Sequence, residues 1–278
     1  MFDPGGVLNA APNPFSRTVA STLADLGSLV GIDPVAPPLA APDAAAKIRV
    51  FVSLTTIPPR IDGLGRCLAS LLAQTHPPER IFVNVPRAYR RFGRLDMVPA
   101  WLADGDERIQ LVRCERDHGP ATKFLGALDR VPRTPDTLMV IVDDDVAYRD
   151  YMLSTFARAH AADPRRAHSF FTFRYRGVTV GQGVDGIAVP AEALDGIVDF
   201  WARIAHDKDA FFVDDLWLSY YLQRAGYPVA SLARHRPDRD PVYTIYNDAG
   251  ALLGLTGAHR RWKAMAGARR ALRAAFGA

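Results

Sequence analysis

Two cysteines, Cys67 and Cys114, occur among the 278 residues, and neither lies in a CxxC or Cys/His cluster. That scarcity excludes a disulfide-stapled miniprotein and gives no zinc ribbon or dithiol redox motif; two reduced thiols in a cytoplasmic protein are expected. No apolar run approaches the roughly 20 residues that cross a bilayer. The amino terminus has no basic region followed by an apolar stretch, so neither a membrane span nor a secretory leader is predicted. A broad excess of one charge is missing too. Lys and Arg total 34 against 30 Asp and Glu, for a formal charge of +4. From Gly257 onward stand Arg260, Arg261, Lys263, Arg269, Arg270 and Arg273 with no acid, so the rest of the chain is slightly acidic and the pI of 9.2 owes much to the tail. This distribution argues against a nucleic-acid-binding body.

What is present is ordinary globular material, 49% hydrophobic, enough for one large core or two small ones. Residues 1 to 46 are rich in Ala and Pro and lack sustained periodicity, which predicts an arm or a wrap over the surface with at most a short helix around Ser16 to Val30. Order begins at Ile48. IRVFVSL (48 to 54), IFVNV (81 to 85), RIQLVRC (108 to 114) and TLMVIV (137 to 142) read as buried strands. Helical spacing separates them at Ile61, Leu64, Leu68, Leu71 and Leu72, and again in ATKFLGALDR (121 to 130). The alternation predicts an α/β fold with a mainly parallel sheet, right-handed crossovers and helices on both faces. Further on, a helix is expected at Tyr151 to Ala161, strands near Phe170 to Arg174 and Gly186 to Val189, and a helix after Pro190. Another helix is expected from Asp214 to Ala225, and PVASLA and PVYTIY read as short strands.

Asp143, Asp144 and Asp145 follow the fourth strand directly and so emerge at its carboxyl end, where ligands bind in open α/β sheets. Three adjacent carboxylates repel one another and need a counter-charge. A hard divalent cation, Mn²⁺ or Mg²⁺, bridging to substrate phosphates suits such oxygens, and a solvated acidic turn is the plainer alternative. Asp214 and Asp215 open the helix in FFVDDLWLSYYL. There carboxylates serve as caps and complement the dipole, yet the apolar neighbours also suit a general base. Lys123, at the start of a predicted helix, offers charge for a diphosphate or is simply solvated. Trp201, Trp217, Tyr220 and Tyr221 suit stacking on sugar faces or a core.

The ordered landmarks resemble those of GT-A fold glycosyltransferases, the nucleotide-sugar-dependent kind related to family 2. They comprise the opening strand, DDD at 143 to 145, the loop GVTVGQG (177 to 183), VDD at 213 to 215, and His235 after the next strand. The order spans residues 48 to about 236, and TTIPPR and GPATK look like phrases of bacterial polysaccharide-building transferases. The resemblance implies a catalytic domain over 47 to 256 with a Rossmann-like sheet and a less regular acceptor-side half. It implies that Asp143 or Asp144 contacts ribose or shares the cation, that Asp145 is the principal metal ligand with Asp143, and that His235 is a further ligand or phosphate contact. Asp215 matches the base of inverting members, and Asp214 stands where a glutamate is usual, which leaves the base between the two. Thr55, Thr56 and Arg60 lie where such proteins hold the nucleoside diphosphate, although Arg60 also suits capping the turn after Pro59. Asp117 would hold base or ribose, and Gly183 would lie against the donor.

The implied partners are a nucleotide-diphosphate sugar donor and a glycan or lipid-linked acceptor. The tail from 257 to 278 reads as a basic amphipathic helix with Trp262, Met265, Leu272 and Phe276 toward one side. Such a helix suits peripheral contact with the anionic inner face of a membrane, or docking on the body with a basic outer face. A sugar-phosphate nucleotidyltransferase is a competing enzyme, but no GxGxR follows the first strand. A non-catalytic sugar- or nucleotide-binding scaffold is the competitor from another class.

Overall fold

In the computed structural model, residues 36–95, 98–103, 105–238, 240–246 and 252–277 are described. The near-continuous apolar runs become the centre of a seven-stranded sheet. Its strands are β1 (Arg49–Thr55), β2 (Arg80–Pro86), β3 (Ile109–Cys114), β4 (Thr137–Ile141), β5 (Ala167–Ser169), β6 (Ile187–Pro190) and β7 (Val229–Ser231). The spatial order is β7-β5-β6-β4-β1-β2-β3. Parallel register sets Val52 beside Ile81 and Val140, so β1 is buried on both faces, as its Val- and Leu-rich composition requires. Only β6 runs against the others, pairing antiparallel with both β4 and β5. The fold is thus α/β, mostly parallel and covered by helices on both faces, in agreement with the sequence pattern.

Two apolar layers follow from the alternation of side chains along the strands. Val50, Val52, Leu54, Val83 and Val140 pack under the helices Gly65–Leu72 and Met152–Ala162. Phe51, Phe82, Val112, Met139 and Ile141 face the other way, into a core shared with the helix Asp214–Arg224. Trp201, Trp217, Tyr220 and Tyr221 are all buried in that second core, with Trp201 stacked on Trp217 at 4.9 Å, so they are packing residues and offer no face to a sugar.

Several elements depart from the sequence pattern. The helix expected over 121 to 130 is a single α-turn, Thr122–Leu125, flanked by 3-10 turns at Gly119–Ala121 and Leu128–Arg130. It lies so close to the sheet that a Cβ on Gly126 would stand 2.6 Å from Asn84 Oδ1 and 2.7 Å from Cys114 Sγ. The strand expected near 170 to 174 splits into β5 and a separate hairpin, Thr172–Tyr175 with Val178–Gly181, turned by Arg176 and Gly177 at positive φ. GVTVGQG is therefore largely strand. The chain after Pro190 is a 3-10 turn followed by the helix Ile197–Ala202. Tyr243–Ile245 pairs with Val146–Tyr148 rather than with the main sheet.

Both termini of the described chain dock on the body. Residues 36 to 46 lie along the helix Met152–Ala162, where Ala40 N–H donates to Arg158 O and Arg158 Nε donates to Ala40 O. The short helix expected around Ser16 to Val30 falls outside the described residues. The tail belongs to a helix, Leu252–Phe276, whose Met265, Ala268 and Leu272 are buried in the second core. Phe276 stacks on Phe200 at 4.2 Å. Met265, Leu272 and Phe276 of the expected apolar side are thus packed on the body, as the docked-helix alternative has it, and Lys263, Arg270 and Arg273 are exposed. The side chain of Trp262 lies outside the described residues. Among the described residues, no helix is long and apolar enough to cross a membrane.

Candidate functional site

Because β1, β2, β3 and β4 are parallel, their carboxyl ends bring Thr55, Thr56, Asp117 and Asp143–Asp145 to one edge. The reversal of β6 carries the turn before it, Gly183–Asp185, to that same edge, since Ile187 pairs with Ile141. The helix Asp214–Arg224 delivers Asp214 and Asp215 from its first turn. Residues separated by more than 150 positions thus converge.

The backbone of the three aspartates is pinned by tyrosines. Tyr148 Oη accepts from Asp143 N–H at 3.0 Å, and Tyr246 Oη donates to Asp144 O at 3.0 Å. Each side chain then has a different fate. Asp144 is buried, accepting from Thr56 Oγ1 and from Arg60 Nη1, each at 2.6 Å. Arg60 Nη2 reaches Asp145 Oδ2 at 3.2 Å. Thr56 and Arg60 therefore hold Asp144 in place, and the TTIPPR turn binds the acidic strand end from below. Thr55 Oγ1 donates to Asn84 O.

Lys123 carries the opposite side of the cluster. It is 4% exposed, and its Nζ lies 2.9 Å from Asp143 Oδ1, 3.0 Å from Asp214 Oδ2 and 4.0 Å from Asp215 Oδ1. Burial alone would depress its pKa, but these carboxylates more than reverse that and keep the ammonium charged. Beneath it, Ser53 Oγ and Asn84 Nδ2 donate to Lys123 O, so two polar residues inside apolar strands fix the backbone of the lysine. Gly183 N–H donates to Asp215 Oδ1 at 3.1 Å, and a Cβ on Gly183 would stand 2.5 Å from Lys123 Nζ. Glycine is required there for close approach rather than for an unusual φ.

The signal the sequence reading missed is Asp185. It is 6% exposed, and no hydrogen bond to its carboxyl group is found among the described residues. Burial pushes its pKa up to about 8; Arg236 opposes the rise, while Asp215 and Asp143 add to it. Burial also raises Asp145, reinforced by repulsion from Asp143, and raises Asp144 despite Arg60. Cys67, fully buried beneath the aspartates, is a thiol held well above its ordinary pKa by burial and then by the three charges, and is therefore unreactive.

One expected participant lies elsewhere. His235 Nε2 bonds to Pro37 O at 2.7 Å, and β7, which precedes it, stands three strands from β4, roughly 14 Å at ordinary strand spacing. Its ring fastens the 36–46 segment and does not join Asp143 and Asp145. Asp117 is turned into its own loop, accepting from Gly119 N–H and from Arg90 N–H. Among the described residues, no three His, Cys, Asp or Glu side chains converge as a finished metal cage. The donor chemistry nevertheless fits a hard cation completed by substrate oxygens. Lys123 and Arg60 between them lie at contact distance from five carboxylates, those of Asp143, Asp144, Asp145, Asp214 and Asp215. Asp143 and Asp145 keep side-chain exposures of 34% and 19%. One or two carboxylates with phosphate oxygens are the usual Mg²⁺ arrangement.

No protein-family model matches the chain, and no curated protein matches its sequence. Among solved structures, the chain is similar to a mannosyltransferase from Pyrobaculum calidifontis in complex with GDP-mannose and Mn²⁺. The TM-score is 0.50 and the identity 18%, over 95% of this chain and 84% of that one. The likeness concerns the fold: a Rossmann-like sheet of the glycosyltransferase type.

Proposed function

We propose that the protein is a metal-dependent glycosyltransferase that moves a sugar from a nucleotide-diphosphate donor to a hydroxyl acceptor. One observation carries the reading: five aspartates gathered around Lys123 and Arg60 sit at the ligand-binding edge of a sheet shared in outline with a sugar-nucleotide enzyme. Asp145 and Asp143 would hold Mn²⁺ or Mg²⁺. When bound, the ion neutralises the diphosphate and stabilises its departure.

The chain's own residues divide the remaining work. Lys123 sets a fixed positive charge beside the leaving phosphate. Asp144, fully engaged by Thr56 and Arg60, positions its neighbours. Asp214 is buried on Lys123, whereas Asp215 is more exposed, at 19%, and is oriented by Gly183 N–H. Asp215 is thus the better base: it takes the acceptor proton as the acceptor oxygen bonds to the anomeric carbon and the bond from that carbon to the phosphate oxygen breaks. Attack opposite the leaving group inverts the centre. The acceptor is a glycan or a lipid-linked saccharide, in keeping with polysaccharide assembly.

Thermal-shift titration of the full chain with UDP, GDP and ADP, with and without Mn²⁺, tests this. Metal-dependent stabilisation by a nucleoside diphosphate, with slow hydrolysis of the matching sugar nucleotide, is expected. The absence of any metal-dependent nucleotide effect overturns the reading. Pyrophosphate release from a nucleoside triphosphate and a sugar phosphate would mark a nucleotidyltransferase instead.

A further inference from the structure

A buried carboxyl group with no hydrogen-bonding partner is costly, and such groups ordinarily find one. Asp185 is 6% exposed, and no hydrogen bond to its carboxyl group is found among the described residues. It closes the 3-10 turn Gly183–Asp185, two residues after the glycine that touches both Asp215 and Lys123. Its place is fixed from both sides. Asp185 N–H donates to Gln182 O at 3.1 Å, and Gly186 follows at φ +75°, where a Cβ would stand 3.0 Å from Phe156. The carboxyl group feels the charges of Arg236, Asp215 and Asp143, and its own charge is felt by the Tyr243 phenol. None of these supplies a hydrogen bond to it.

We infer that Asp185 hydrogen-bonds a hydroxyl of the transferred sugar and selects donors that carry that hydroxyl. The inference rests on the glycosyltransferase reading and adds a substrate feature to it. Chemistry favours a hydroxyl over the alternatives. A phosphate oxygen only accepts and would leave one carboxyl oxygen without a donor, and an apolar group would leave both oxygens unsatisfied. A hydroxyl both donates and accepts, so it pairs with the group beside Asp215, where the anomeric carbon must lie for a proton to reach that base. Arg236 limits the negative field without occupying the space. Asp185 is a specificity residue in this scheme; it neither abstracts the proton nor holds the nucleotide.

The test is calorimetric titration of the full-length protein in Mn²⁺ with GDP against GDP-mannose and with UDP against UDP-glucose. The ratio of the two affinities in each pair isolates the contribution of the sugar. In Asp185→Ala the nucleoside diphosphate affinity should stay within about twofold, while the sugar contribution falls by roughly 3- to 10-fold, as expected for a lost hydrogen bond to a carboxyl group that burial keeps largely protonated. Asp185→Asn, which keeps shape and hydrogen-bonding capacity, should retain an intermediate ratio and guards against misfolding of the alanine variant. Donor analogues lacking one hydroxyl each provide the closing comparison: one of them should lose the same factor on the natural chain and nothing further on Asp185→Ala. An unchanged sugar contribution in Asp185→Ala, or equal loss of nucleotide and sugar-nucleotide affinity, overturns the inference while leaving the transferase reading intact. So does a natural chain that binds the nucleotide yet gains nothing from either sugar. If no nucleotide, ADP included, binds with Mn²⁺, the transferase reading fails and this inference falls with it.

Discussion

Lys123 Nζ and Asp143 Oδ1, brought together from the third crossover and the end of β4, meet at 2.9 Å inside the protein. The contact also commits Asp214, because the same ammonium lies 3.0 Å from Asp214 Oδ2. Removing the lysine charge would leave carboxylates buried without compensation. Lys123→Met should lower unfolding free energy by about 3–5 kcal/mol, the usual cost of breaking a buried pair from one side. Urea denaturation measures it, and a loss below about 1 kcal/mol would show that the lysine is not the structural counter-charge described above.

The two acids of the helix start should separate by phenotype. Asp215→Asn should keep nucleotide affinity and stability while lowering kcat by about 10²–10⁴-fold, the range of general-base contributions. Asp214→Asn should instead weaken the fold by loosening Lys123. Equal kinetic losses with unchanged stability in both variants would refute the division of labour.

Gly183→Ala probes close approach directly. A methyl group there would stand 2.5 Å from Lys123 Nζ and 2.8 Å from Asp143 Oδ1. The backbone tolerates alanine, so the melting temperature should change by only a few degrees, whereas donor hydrolysis should fall by roughly 10- to 100-fold through displacement of charged groups from productive geometry.

Acid stability should report His168. This residue is fully buried in β5, its ring nitrogens have no hydrogen-bond partner among the described residues, and burial, aided by His160, lowers its pKa to about 3. Between about pH 3 and 6.5 the unfolded imidazole takes up a proton that the folded one refuses. The contribution of the neutral ring is therefore full above 6.5 and fades as pH falls toward 3, by up to about 1.4 kcal/mol per pH unit. Carboxyl groups titrate in the same interval, so the relevant quantity is the difference between the natural chain and His168→Gln. That difference should shift in favour of the variant as pH is lowered; a pH-independent difference would contradict the assignment.

Sequence pattern revealed the frame far better than its contents. β1, β2, β3 and β4 were legible because strands buried on both faces are continuous apolar runs, and the acidic cluster was legible because it follows one of them. Lys123 and Arg60 were visible as cations near a phosphate, but their attachment to Asp143, Asp144 and Asp214 depends on crossovers that spacing does not encode. Ser53 and Asn84 left a trace, a polar letter inside an apolar strand, whose meaning needed the third dimension. Asp185 left none, since an aspartate among glycines reads as an ordinary turn. His235 misled for the opposite reason. Its position in the chain suited a ligand, while the segment that takes up its ring begins almost 200 residues earlier.

The antiparallel course of β6 has a consequence for how this molecule changes over time. Five residues, 182 to 186, reach the acidic edge of the sheet on the way into a strand rather than on the way out of one, and they are followed at once by Ile187 locked against Ile141. On the proposed reading, exchange at position 185 alters which carbohydrate is accepted while Gly183 and Gly186 hold the turn and the strand keeps its register.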